Sequence, residues 1–268
     1  MVASNAEVII GCGHPFYNDD GERLNEPDYH YLSVESWQAL REGADGWTLV
    51  ESRDDFKAVD PANRPQRLFG VAQVASTLQF ARRGAEEQTV PFNPPLIETV
   101  PTLAEMTGAA LAVLEANDSG FYLMIEGGAI DWAGHANHSP RLIEEMVDLE
   151  AAIQAVVDWV ERSSSWQETL VIVTADHETG YLTGPGAGNM KTEGGEEAFY
   201  ADLANRGRGQ LPSMEWQVSN HTNQLVPLYA KGAGAEGLTA LAKLSDPLRG
   251  RYLDNIDIPN YLKTFLIR

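Results

Sequence analysis

Apolar residues recur along the chain with two different periods. From Leu103 to Leu114 they fall three and four apart (Leu103, Met106, Ala110, Leu111, Leu114), the spacing of one helical face. Thr102 and Glu105 stand at the spacing of a capping box, so the pattern predicts a helix over 102–116. The same period runs through Leu142, Ile143, Met146, Leu149, Ile153, Val156, Val157 and Val160 behind a Ser139-Pro140 start, and predicts a helix to about residue 161. Ser33 to Arg41 predicts a short helix, and Ile258 to Ile267 closes the chain with another. Continuous apolar runs bounded by glycine or polar turns predict strands at "EVII" (7–10), "WTLVE" (47–51), "FYLMIE" (121–126) and within "TLVIVTADHETG" (169–180). "FYLMIE" is apolar up to its final glutamate, which suits an interior strand of a parallel sheet. "QLVPLYA" (224–230) reads as an edge strand, because Pro227 has no N–H to donate. Residues 60–95, with prolines at 61, 65, 91, 94 and 95, read as loop; 183–215, rich in glycine and charge, reads as a surface excursion. Strands alternating with helices predict one α/β domain over 1–268, with a largely parallel central sheet and helices on both faces.

Composition narrows the partners. A chain of 268 residues with 43% hydrophobic content can bury a sizeable core. A formal net charge of −20 repels phosphate backbones and anionic lipid, so neither nucleic acid nor a membrane is expected as a partner. No apolar run approaches the length of a membrane span, and "MVASNAEVII" has no basic region ahead of a long apolar stretch, so no signal peptide is read there. Cys12 is the single cysteine, so no disulfide can form within the chain. The negative charge serves solubility, unless some of the carboxylates hold cations.

The segment "IEGGAIDWAGHANH" (125–138) bears on that choice. It gathers Glu126, Asp131, His135 and His138 among glycines and alanines, which let the backbone come close to a bound group. Asp176 and His177 follow the "TLVIV" run, and His221 stands in "SNHTNQ" just before the 224–230 run. Functional groups of α/β sheets gather at the carboxyl ends of strands, where two of these clusters are expected. Mixed carboxylate and imidazole donors suit zinc or a similar divalent ion, whereas a lone glutamate at a strand end suits magnesium. Taken singly, Asp131 and His135 could be a loop salt bridge, and Asp176 a helix cap. Two such clusters after apolar strands favour a metal site. His138 precedes a helix start and is expected to face solvent, and His14 and His30 fall in loops. Gly11-Cys12-Gly13 lacks the helix pattern that a phosphate loop needs after it.

Four blocks, "MIEGGAIDWAGHANH", "VDLEAAIQAVVDWV", "TLVIVTADHETG" and "HTNQLVPLYAKG", resemble the alkaline phosphatase family in order and spacing. "EVIIGCGHPFYNDDGE" resembles a strand and glycine turn from the middle of the family's sequence, and "DNIDIP" with the last helix resembles its carboxyl end. The resemblance implies hydrolysis of small phosphate monoesters at two zinc ions and one magnesium, in the periplasm or outside the cell, and it leaves room for a homodimer. It implies Asp131, His135 and His221 as ligands of the first zinc, Asp176 and His177 as ligands of the second, Glu126 as a magnesium ligand, and Trp132 beside these ligands without binding metal. The family's nucleophile is a serine in an Asp-Ser-Ala motif, and that motif does not occur in this sequence; Asp118-Ser119-Gly120 reads as a turn. The aspartate that bridges the second zinc and magnesium, the hydroxyl ligand of magnesium and the arginine that grips phosphate have no counterpart either. The chain therefore resembles the carboxyl-terminal portion of the enzyme. It is expected to carry most metal ligands, to be inactive alone, and to expose an unpaired strand edge with an apolar face. The alternatives are a related metalloenzyme of the superfamily, a phosphomutase or a sulfatase-like hydrolase, and a non-catalytic metal-binding domain.

Overall fold

A computed structural model describes residues 2–191 and 197–266. The chain divides into two compact units, Met1–Ala133 with Ser139–Trp159, and Gly134–His138 with Val160–Arg268.

The first unit contains a parallel sheet of three strands, β1 (Val8–Gly11), β2 (Thr48–Val50) and β3 (Leu68–Val71), in the order β1-β3-β2. Alternation along the strands sends side chains to two apolar cores. On one face Val8, Ile10, Val50 and Leu68 pack with Phe56 of α2 (Arg53–Ala58) and with Met106, Ala109 and Val113 of α3 (Leu103–Leu114). On the other, Ile9, Leu49, Phe69 and Val71 pack with Trp37 and Leu40 of α1 (Val34–Arg41). Helices therefore cover both faces of this sheet, as the α/β pattern predicts. Gly70 of β3 has a positional reason: a Cβ there would lie 2.6 Å from the Phe56 ring, so the bare backbone admits the aromatic side chain.

Helix starts follow their local signals. Ser33 caps α1 through the Ser36 N–H, and Thr102 and Glu105 form the predicted capping box on α3. Glu105 has a second task, accepting two-pronged bonds from the Arg53 guanidinium at 2.8–3.0 Å from the first residue of α2. Burial raises the Glu105 pKa, but the Arg53 and Thr102 bonds outweigh it and hold the carboxyl below its usual range. α5 (Ser139–Ser163) spans the predicted long helix.

Two expectations for this unit fail. Residues 60–95 are not all loop, because "LFGV" forms β3, the central strand, with every residue buried. Its pairing partners β1 and β2 are distant in sequence, and four residues are too few to show a period. "FYLMIE" is not an interior strand: among the described residues it pairs with no strand. Phe121, Leu123 and Ile125 are half-buried, while Tyr122 and Met124 are 63% and 70% exposed, so its burial alternates instead of covering both sides. An apolar run reports suitability for burial and says nothing of which strand supplies the hydrogen bonds.

The irregular residues 77–95 are tied to α5 by a buried polar network. Glu144 takes Arg82 at 2.8 Å and Arg141 at 3.4 Å, and also accepts from the Gln88 amide and the Phe92 N–H. The two guanidiniums in turn donate to the carbonyls of Gln79, Arg82, Arg83, Pro94 and Pro95.

In the second unit β4 (Leu170–Val173) is half-buried and pairs antiparallel with a later strand at Tyr229–Gly232. The predicted edge strand at 224–230 thus begins later than expected, past Pro227, where every residue has an N–H for the ladder. Between them lie β5 (Glu178–Thr179), β6 (Leu182–Thr183), β7 (Gly188–Lys191), β8 (Glu197–Tyr200), β9 (Glu215–Trp216) and β10 (His221–Thr222), so the Tyr229–Gly232 strand is β11. They pair antiparallel as β5 with β10, β6 with β9 and β7 with β8. Residues 192–196 of the predicted excursion lie outside the described residues. The unit closes with α6 (Ala235–Leu241), the hairpin β12–β13 (Leu244–Asp246, Gly250–Tyr252) and the predicted terminal helix, α7 (Asp257–Leu266).

Candidate metal centre

The second unit brings three imidazoles together. His135 ends the short helix α4 (Ala129–His135), His177 precedes β5, and His221 opens β10. The β5–β10 ladder pairs His221 with Thr179 and Thr222 with Glu178, and the Thr222 hydroxyl donates to the Glu178 carboxylate. The His177 and His221 rings stack with centroids 3.6 Å apart, and the His135 ring stands 4.8 Å from that of His221.

Glycine allows this approach. A Cβ on Gly134 would lie 3.0 Å from the Cβ, Cγ2 and carbonyl oxygen of Thr179, so the last turn of α4 sits flush against β5. Gly180 has a φ of +89°, and a Cβ there would meet the Trp216 ring at 2.5 Å. A side chain at Gly180 would force the segments apart, and one at Gly134 would require Thr179 to give by a few tenths of an ångström.

Hydrogen bonding fixes the proton on one of these rings. His135 Nδ1 lies 2.7 Å from the Ser219 carbonyl oxygen, which can only accept, so Nδ1 carries the hydrogen. In the neutral ring Nε2 then presents a lone pair, and it lies 3.0 Å from His221 Nε2. Two nitrogens bound to one tetrahedral zinc at its usual bond length stand about 3.3 Å apart, so the spacing suits a shared ion. Orientation of a ligating imidazole by a backbone carbonyl on its other nitrogen is also the usual arrangement of metal-binding histidines. The donor chemistry fits zinc.

The remaining sequence-predicted residues are placed as follows. Asp131 lies on α4 four residues before His135, hence on the same helical face. His177 and His221 each offer an imidazole nitrogen of the kind that holds a divalent ion. Asp176 is exposed, with its Oδ2 3.4 Å from His177 Nε2. Glu126 and Trp132 belong to the first unit; Glu126 is exposed at the end of the 121–126 segment, and Trp132 stands edge-on to Phe80 at 6.2 Å. Ser119 sits in a turn, where its N–H and that of Gly120 both bond Asn117. His14 is buried, bonded to Glu51 through Nε2 at 2.8 Å and to the Phe16 N–H through Nδ1, so both its nitrogens have internal partners. Sequence reasoning missed Ser219 and Thr179, whose contributions come from a carbonyl and from a tertiary contact.

The family model for alkaline phosphatase matches residues 1–210. Alkaline phosphatase H of Pseudomonas aeruginosa (strain UCBPP-PA14) is 36% identical over 143 residues, 50% of this chain and 29% of that relative. A mutant of TAB5 alkaline phosphatase with magnesium bound in its M3 site aligns with a TM-score of 0.53 at 25% identity, over 88% of this chain and 56% of its own. A cold-active alkaline phosphatase from Shewanella sp. aligns over 100% of this chain and 67% of its own with a TM-score of 0.63, a likeness of fold at 20% identity. The chain spans well under half the length of the Pseudomonas relative.

Proposed function

The chain belongs to the alkaline phosphatase family, and on that premise we propose that it carries most of the metal centre of a phosphate monoester hydrolase. The observation that carries this reading is the His135 Nε2 lone pair, fixed by the Ser219 carbonyl and directed at His221 Nε2 3.0 Å away. Asp131, His135 and His221 hold one zinc in this reading, Asp176 and His177 contribute to a second, and Glu126 serves magnesium. Bound zinc supplies a Lewis acid that polarises phosphoryl oxygen and lowers the pKa of an oxygen nucleophile. The chain's own contribution is to hold the donors in place: Gly134 lets α4 approach β5, and the β5–β10 ladder aligns His177 with His221. The substrates are small phosphate monoesters, met in the periplasm or outside the cell. A homodimer is compatible with this reading.

Turnover by this chain alone is a separate matter. Its sequence has no Asp-Ser-Ala motif, and without a serine nucleophile and an arginine on the phosphate most transition-state stabilisation is missing. Dialysis against limiting zinc is expected to leave about one tightly bound ion per chain, the count for a single structural or catalytic site. His135→Ala is expected to lose it, and a variant that retained the ion with unchanged affinity would defeat the assignment. On p-nitrophenyl phosphate, turnover is expected below the roughly 1 per second at which ordinary enzymes begin. A faster rate would mean that a residue of this chain acts as nucleophile.

A further inference from the structure

The three histidine-bearing segments of the second unit meet at Thr179. Its backbone pairs with His221 across the β5–β10 ladder. Its Cβ and methyl group face Gly134, where a Cβ on α4 would already lie 3.0 Å from both. Its hydroxyl lies 3.2 Å from His177 Nδ1. On either side the chain is held in place: Glu178 accepts from Thr222, and the Gly180 N–H donates to the Asn220 carbonyl at 3.1 Å. Thr179 is thus held by its own neighbours while touching each segment that carries an imidazole.

We propose that Thr179 is the positioning residue of this centre: its Oγ1 accepts the Nδ1–H of His177 and so directs the Nε2 lone pair of that ring outward for a metal ion. The inference rests on the metal reading proposed above and adds to it the device that sets His177. His135 receives the same treatment from the Ser219 carbonyl, which can only accept. A hydroxyl can donate as well, and Asp176 Oδ2, 3.4 Å from His177 Nε2, competes for the proton, so the accepting sense at Oγ1 is the part of the proposal that the nitrogen shifts decide. A neutral imidazole in water prefers its proton on Nε2, the wrong nitrogen for a ligand that binds through Nε2. Without the hydroxyl, His177 would return to that preference and would have to change tautomer before binding. Outer partners of metal-bound histidines typically change metal affinity by about 10- to 100-fold.

The test uses Thr179→Val, which keeps the branched side chain against Gly134, and Thr179→Ser, which keeps the hydroxyl. In the metal-free full chain, the nitrogen-15 shifts of the His177 ring report which nitrogen is protonated. Affinity for the second zinc, the one that His177 serves, is measured separately on the chain with its tight site already loaded, by competition with a chromophoric chelator. Thr179→Val is expected to move the proton to Nε2 and to weaken zinc binding about tenfold or more, while Thr179→Ser stays close to the parent chain in both. Thr179→Ala answers the same question if the valine variant does not fold. Unchanged nitrogen shifts on loss of the hydroxyl would overturn the proposal. Changed shifts with unchanged zinc affinity would overturn it equally, by leaving Thr179 a structural role only. Failure of the unsubstituted chain to bind zinc would sink the metal reading and this inference with it, and that failure shows before any substitution is made.

Discussion

Replacing Glu144 by alanine is expected to destabilise the first unit by about 3 to 5 kcal/mol, the usual consequence of stranding a buried charge. Both carboxylate oxygens are engaged, one with Arg82 and Arg141 and the other with Gln88 and the Phe92 N–H. The side chains of Arg82, Arg141 and Glu144 are 3%, 0% and 1% exposed, so water cannot take over when the carboxylate goes. Two buried cations would remain without the carboxylate that both of them face. The pair's intact value is a different quantity, because desolvation offsets most of the Coulomb attraction. A substitution that removes all three charges should therefore be milder than the single one. For a domain of this size the single substitution lowers Tm by roughly 6 to 20 °C. Urea titration measures the loss directly, and a change below about 1 kcal/mol, the scale of an exposed pair, would show that the network is solvated.

The next residue along α5 gives the opposite sign. Glu145 is buried with its Oε1 unpartnered, and its pKa is pushed up to about 7. Burial is the largest cause, Asp148 and Glu144 add to it, and Arg82 opposes it. Since the folded protein holds this proton more tightly than the unfolded chain does, the stabilisation is complete below the unfolded value of about 4.5. It is lost as pH rises through about 7. The difference corresponds to about 3 kcal/mol, at about 1.4 kcal/mol per tenfold change in proton affinity. Glu145→Gln cannot ionise, so its stability advantage over the parent chain should widen by up to about 3 kcal/mol between pH 5 and pH 8. Urea midpoints at several pH values check this. Parallel stability curves for the two chains would show that Glu145 ionises freely in the folded state.

Elements with local signals were legible in the sequence. Thr102 with Glu105, Ser33 and Ser139-Pro140 mark helix starts through groups a few residues away, and all three helices form there. β3 was not legible, because "LFGV" is a strand only by virtue of β1 and β2, some twenty to sixty residues distant. "FYLMIE" misled for the complementary reason, since hydrophobicity does not identify a pairing partner. At the centre, the donor types of Asp131, His135, Asp176, His177 and His221 could be read directly. The stacking of His177 on His221 could not, since the β5–β10 ladder joins residues more than forty apart. Nor could the Ser219 carbonyl be found, because every residue has one and only geometry selects it.

The doubly used carboxylate of Glu105 has a consequence for how the first unit opens. The first turn of α3 is held by Thr102 from within, by Arg53 at the start of α2, and by Asp148 of α5, whose carboxylate accepts the Leu103 N–H at 3.2 Å. Helix ends ordinarily fray one at a time, exchanging their amide hydrogens with solvent far faster than the core does. Here the end of α3 cannot fray without releasing a guanidinium from α2 and freeing a half-buried carboxylate on α5. Three helix segments far apart in sequence are thereby joined into one unit of exchange, whose protection is set by the free energy of separating them together.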